Sequence, residues 1–123
     1  MPAVNTSVQS QWVAGDNELL VSSTPVTITA VEVQGNPTQG AVAYLRIWNS
    51  AAAVPGTTEP DEVIPIFKPN VDTGDIRCKT IMASGRRFPT ALSYGVYTTP
   101  HSGSAVPTAA NAPLSVKIFY IPG

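Results

Sequence analysis

The stretch AVAYLRIWN, residues 41–49, with the loop SAAAVPGTTEPDE, residues 50–62, and the apolar run VIPIF, residues 63–67, decides the fold. Its side chains alternate with the period of a β-strand, Ala43, Leu45 and Ile47 on one face and Tyr44, Arg46 and Trp48 on the other. The first face is a core face. The second carries two aromatics and an arginine, more contact chemistry than a solvated face needs, so Tyr44, Arg46 and Trp48 become candidates for an interface. Aromatics packed beneath a loop or against another sheet are the structural alternative. The Pro- and Gly-bearing loop returns the chain to a second strand. There Pro65 cannot donate to a ladder, which puts that strand at a sheet edge or interrupts it.

Further strands are predicted on both sides of this pair. In VTITAVEV, residues 26–33, Val26, Ile28 and Ala30 share a face while Val31 and Val33 lie on the opposite one; the change of phase predicts a bulge or bend near Ala30, of the kind that turns a sandwich corner. IRCKTIM, residues 76–82, LSYGVY, residues 92–97, and LSVKIFYI, residues 114–121, alternate in the same way, and QGNPTQG and DTGD are turns. No window carries apolar residues at helical spacing, and 12 prolines and 9 glycines fall where helices would run. The expectation is an all-β protein of about seven to eight strands in a two-sheet antiparallel β-sandwich, Ig-like or jelly-roll. Residues 1–17 read as an N-terminal arm or tail, or a first short strand, with Trp12 as a possible tie to a neighbour, and residues 18–123 as one sandwich domain. Two connections, about 13 residues over 49–61 and about 15 over 99–113, are long, rich in Ala, Pro, Thr and Gly, and read as contact loops.

The chain of 123 residues suits a single core. Hydrophobic residues make up 43% of it and charged residues only 12%, about half of the roughly 25% usual in soluble domains. With a formal net charge of -1, copies repel one another weakly and no basic surplus exists for nucleic acid. Cys78 is the only cysteine, so an internal disulfide cannot form, and its place in an alternating run reads as a buried, inert thiol. The beginning MPAVNTSVQSQ has neither a basic nor an apolar leader region, and no run approaches a membrane span, so synthesis in a cytoplasm without membrane insertion is expected.

Candidate catalytic chemistry is thin. His101, the only histidine, lies in a Pro-His-Ser-Gly loop; Asp72 and Asp75 match no full calcium-loop signature; the glycines form neither a phosphate-binding loop nor a dinucleotide fingerprint. No enzyme, no cofactor, no metal and no small-molecule substrate is expected. The charges are more informative. Of the 7 basic residues, Arg77, Lys79, Arg86 and Arg87 fall within one strand and its turn, while Glu59, Asp61 and Glu62 cluster at the end of the first long loop. As complementary patches they would meet head to tail between copies; as scattered solvated charges they would do little.

AYLRIWNSAAAVPGTTEPDEVIPI, then an Ile-bearing core strand, then FPTALSYGVYTT, a Pro/Ala-rich loop and LSVKIFY, resembles a group of short all-β virion proteins of tailed bacteriophages, over roughly residues 26–121. The resemblance implies a structural protein of the particle, of the capsid decoration or cement type, on the capsid surface. Its implied partners are the major capsid protein and copies of itself, as a trimer. The candidates for the interface come from residue chemistry and not from the resemblance: Trp12, Tyr44, Arg46, Trp48, Glu59, Asp61, Glu62, Arg86, Arg87 and His101. HSGSAVPTAANAP, residues 101–113, departs from the acidic Thr-rich loop of that group. The alternative reading is a receptor- or carbohydrate-binding module of a tail or fibre, with Tyr44 and Trp48 as a stacking platform.

Overall fold

The computed structural model describes residues 7–9, 19–68, 77–101, 103–108 and 110–122. Every regular element among them is a strand: β1 (Ser7–Gln9), β2 (Leu19–Ser22), β3 (Val26–Gln34), β4 (Ala43–Trp48), β5 (Glu62–Ile66), β6 (Arg77–Phe88), β7 (Leu92–Tyr97) and β8 (Ser115–Pro122). They form two four-stranded antiparallel sheets in the orders β1-β8-β3-β6 and β2-β7-β4-β5. The first and last strands pair, then the second and seventh, the third and sixth, and the fourth and fifth. The chain is thus one long hairpin folded over itself, closed by β3·β8 and β4·β7. That order is the jelly roll and excludes the Ig-like alternative.

The core lies between the sheets. Val26, Ile28, Val31, Val33, Val116 and Ile118 of the first sheet meet Leu45, Ile47, Leu92, Tyr94 and Val96 of the second, all buried. The predicted irregularity near Ala30 is present. Ile28 and Ala30 pair with Tyr120 and Phe119, two steps on β3 against one on β8, so Thr29 is the extra residue. Its consequence differs from the expectation. β3 stays in one sheet from end to end, and the bulge reverses the side-chain phase so that Val31 and Val33 return to the core that Val26 and Ile28 already face. A one-residue slip moves a strand's apolar set to the other face, and here that slip keeps both halves inside.

Pro65 lies on β5, the outer strand of its sheet, as its missing N–H requires. Ser7–Gln9, within the stretch read as an arm or first short strand, pairs with β8 over Tyr120, Phe119 and Ile118. Trp12, the Asp72–Asp75 turn and the side chains of Arg77, Cys78 and Lys79 lie outside the described residues. The 35–41 turn carries a buried amide unremarked in the sequence: Gln39 donates through Nε2 to Ile66 O (3.0 Å) and Ala41 O (3.1 Å) and accepts the Asn36 N–H on Oε1 (2.9 Å). Its hydrogen-bonding groups are satisfied, which offsets the desolvation of an amide in the interior.

Candidate functional site

Both faces of β4 are buried. Arg46 and Trp48 are each 0% exposed, and Tyr44 is half-buried. The contact face expected for Arg46 and Trp48 is therefore corrected, while Tyr44 keeps part of its surface: the two long loops fold back over the outer side of the second sheet and enclose Arg46 and Trp48. Trp48, Ala53 and Tyr97 form a second small core there, with Val106 packed against it. The Trp48 and Tyr97 rings meet edge to face, 5.8 Å between centroids and 75° between planes, a geometry that contributes about 0.5–1.5 kcal/mol beyond area burial. Alternation alone cannot distinguish a face covered by loops from a face covered by water, because both display the same period.

Each loop is fastened by one of those side chains. Trp48 Nε1 donates to Thr58 O at 3.0 Å, inside a loop that also closes on itself through Thr57 N and Thr58 N to Val54 O at 3.0 and 2.8 Å. Arg46 fastens the other. Nε and Nη2 donate to Thr99 O at 3.1 and 2.8 Å, Nη2 to Thr99 Oγ1 at 2.9 Å and Nη1 to Gly103 O at 3.0 Å. Gly103 has φ 78, a left-handed conformation that brings its carbonyl round at little steric strain. The buried guanidinium thus bonds to backbone carbonyls and a hydroxyl and lies over the Tyr97 ring, 4.5 Å from the centroid. Burial pushes the Arg46 pKa down from its ordinary value, while Tyr97 and then Glu59 act to raise it. Such a group remains charged at neutral pH, and the fixed fork of five donors suits it to gathering several carbonyls.

The loops also touch at their rims. His101 Nδ1 lies 3.2 Å from Glu59 Oε1, with side-chain exposures of 61% and 75%. Outside Arg46 and Trp48, the solvent side of the pair carries Ala51, Ala52, Val54, Thr57, Ser104 and Ala105, all exposed and uncharged. The apron is ordered from within; Glu59 and Asp61 are its exposed carboxylates, and His101 lies beside Glu59 on its rim.

The remaining expected residues lie elsewhere. Asp61 is exposed and accepts the Asn49 N–H on Oδ2 at 2.7 Å. Glu62 is half-buried and opposite Ile47. Arg86 and Arg87 are exposed on β6, an outer strand. Being adjacent, they leave the strand on opposite faces, so they are not one basic patch. Arg86 shares the side of Phe88 and lies over its ring at 5.5 Å. Sequence reasoning missed Thr99 and Gly103 as the acceptors for Arg46, since a loop sequence does not say where its carbonyls point. Among the described residues no group of three or more His, Cys, Asp or Glu is placed to hold a metal ion, and no helix is long and apolar enough to cross a membrane.

Comparison with protein-family models, with curated proteins and with solved structures finds no match to this chain.

Proposed function

We propose that this chain is a non-enzymatic structural protein of a tailed-phage particle, a capsid decoration or cement protein that binds the major capsid protein on the assembled head and stabilises it. The observation that carries this reading is the preordered apron: Arg46 and Trp48 hold two charge-poor loops against the sheet from beneath, leaving Ala51, Ala52, Val54, Thr57, Ser104 and Ala105 outside. Docking such a surface orders few groups and desolvates few charges, and so keeps down two of the penalties of association. The sequence resemblance points the same way. The jelly roll supports it only as analogy, because that architecture serves capsid and lectin domains alike. Function on this reading is adhesion, with no cofactor, nucleic acid or membrane as a partner.

The reading of a receptor- or carbohydrate-binding module on a tail or fibre needs Tyr44 and Trp48 as an aromatic platform, and with Trp48 at 0% exposure only the half-buried Tyr44 is left to supply it. The two readings separate in one experiment. Purified protein is mixed with empty expanded heads, and in parallel with host cells and a glycan array. Saturating binding to heads at a stoichiometry set by capsid symmetry is the expected result. Heads that ignore the protein while cells or glycans retain it would overturn the decoration reading.

A further inference from the structure

The two loops of the apron, residues 49–61 and residues 98–106, are each fastened from beneath, and they also hold one another. Ala53 of the first loop belongs to the small core of Trp48 and Tyr97, and Val106 of the second packs against that same core. Gly56 of the first stands against Gly103 of the second: a Cβ built on Gly56 would meet Gly103 C at 3.5 Å, Gly103 O at 3.6 Å and Ser104 N at 3.7 Å. Gly103 O is also the carbonyl that accepts the Arg46 Nη1 hydrogen bond at 3.0 Å, so the buried guanidinium fixes the point at which the loops touch. Glu59 and His101 meet across the rim at 3.2 Å.

We propose that the two loops form one cooperative unit that opens and closes as a single plate, more readily than the sandwich unfolds, so that whatever orders one loop orders the other. The small core is distinct from the main one, and the second sheet lies between them: Leu45, Ile47, Tyr94 and Val96 belong to the main core, Trp48 and Tyr97 to the small one. Lifting the loops removes Ala53 and Val106 from the small core and leaves every residue of the main core packed.

Neither loop leaves alone without loss to the other. Departure of the first takes Ala53 from the Trp48 and Tyr97 rings and the Gly56 wall from Gly103. Departure of the second strips Arg46 of Thr99 O and Gly103 O and takes Val106 from the same small core. The loop that stays behind then sits on half a core, and contacts shared in this way make two segments open together. A partner that touches only residues 50–58 thereby slows opening of residues 98–106 as well. The coupling holds whatever partner docks there, so the decoration reading stands or falls separately, on head binding.

The test is native-state amide exchange of the full chain in low urea, followed by NMR. The reporters are the Thr57 and Thr58 N–H groups, bonded to Val54 O in the first loop, and the Thr98 N–H, bonded to Ala105 O in the second. Ladder amides of β3 and β4 report on the sandwich. In wild type the three reporters are expected to share one opening free energy and one urea dependence, both below those of the ladder. Two variants then disturb one loop each. G103A puts a side chain on a residue at φ 78, where its Cβ would lie 3.5 Å from Thr99 Oγ1 and, among the described residues, against no atom of the first loop. T58V removes the hydroxyl that accepts the Val54 N–H at 2.9 Å within the first loop. Exchange is expected to quicken about five- to thirtyfold in G103A and about two- to tenfold in T58V. Each factor should be the same at Thr98 as at Thr57 and Thr58, with the ladder amides unmoved. Circular dichroism controls for folding, and should G103A misfold, T58V and the wild-type urea dependence still decide. A factor confined to the loop that carries the substitution overturns the proposal. So do wild-type reporters that differ in urea dependence between the loops, or that exchange only together with the ladder.

Discussion

Arg46 stands opposite Gly95 in the β4·β7 ladder, and the ring that its guanidinium covers belongs to Tyr97, two residues further along the same face. The Tyr97 ring lies back across Gly95: a Cβ built there would meet Tyr97 Oη at 2.5 Å, Cε2 at 2.7 Å and Cζ at 2.8 Å. The missing side chain makes room for the ring, the ring makes a platform for the guanidinium, and the guanidinium holds the loop over residues 99–103. Three residues of ordinary strand sequence thereby order a loop that none of them belongs to.

Replacing Arg46 by Met keeps much of the volume and removes the donors to Thr99 O, Thr99 Oγ1 and Gly103 O. The charge-assisted bonds to these part-buried acceptors are lost, so R46M is expected to lose about 1.5–3 kcal/mol in urea unfolding. Amide exchange should quicken first over residues 98–105, where Thr98 N bonds to Ala105 O at 2.9 Å. R46K keeps the charge without the fork and should recover less than half of the loss. Unchanged exchange in R46M would show that the loop is held by something else.

G95A forces the Tyr97 ring out of its place over the strand. Overpacking of this kind destabilises by about 1–3 kcal/mol, which for a domain of this size lowers the Tm by roughly 5–10 °C. In a Y97L background the same substitution should cost well under half as much, since the atoms it strikes are gone. Equal losses in the two backgrounds would place the strain in the backbone instead.

His101 and Glu59 join the same loops at the rim, yet both are mostly exposed. Exposed polar contacts of this kind contribute little, so H101A and E59Q are each expected to change stability by less than about 0.5 kcal/mol. Calorimetry of these variants beside R46M tests whether the loops are held from below or from their edge. A loss in H101A as large as in R46M would reverse that assignment.

Pro65 is opposite Tyr44 on an outer strand, where its missing N–H faces away from the ladder. P65V restores that donor on an open edge and favours strand addition by a neighbouring molecule. The variant is expected to keep its Tm within about 2 °C and to aggregate several-fold faster on heating, followed by turbidity. A P65V protein as soluble as wild type would remove Pro65 from the list of edge guards.

Much of the fold was legible from period and punctuation. Alternation over residues 43–48, 92–97 and 115–121 located strands, the phase change near Ala30 located a bulge, and Pro65 located an outer strand. These are local signals, because backbone pleating and proline's missing donor act within a few residues. The candidate site was legible only as residue types. Tyr44, Arg46 and Trp48 stand out in the sequence, but whether their face meets water, a partner or the chain's own loops depends on contacts more than fifty residues away in the case of Arg46 with Thr99 and Gly103.

By itself, the sequence determined an all-β chain, its strand positions and the low charge of its exterior. Tertiary structure alone decided the jelly-roll order, the burial of Arg46 and Trp48, and the meeting of Asp61 with the end of β6 through Asn49. The division has one physical cause. Side-chain alternation and turn chemistry are short-range and written residue by residue, whereas strand order and loop placement are set by which distant surfaces bury together, and many arrangements share the same local pattern.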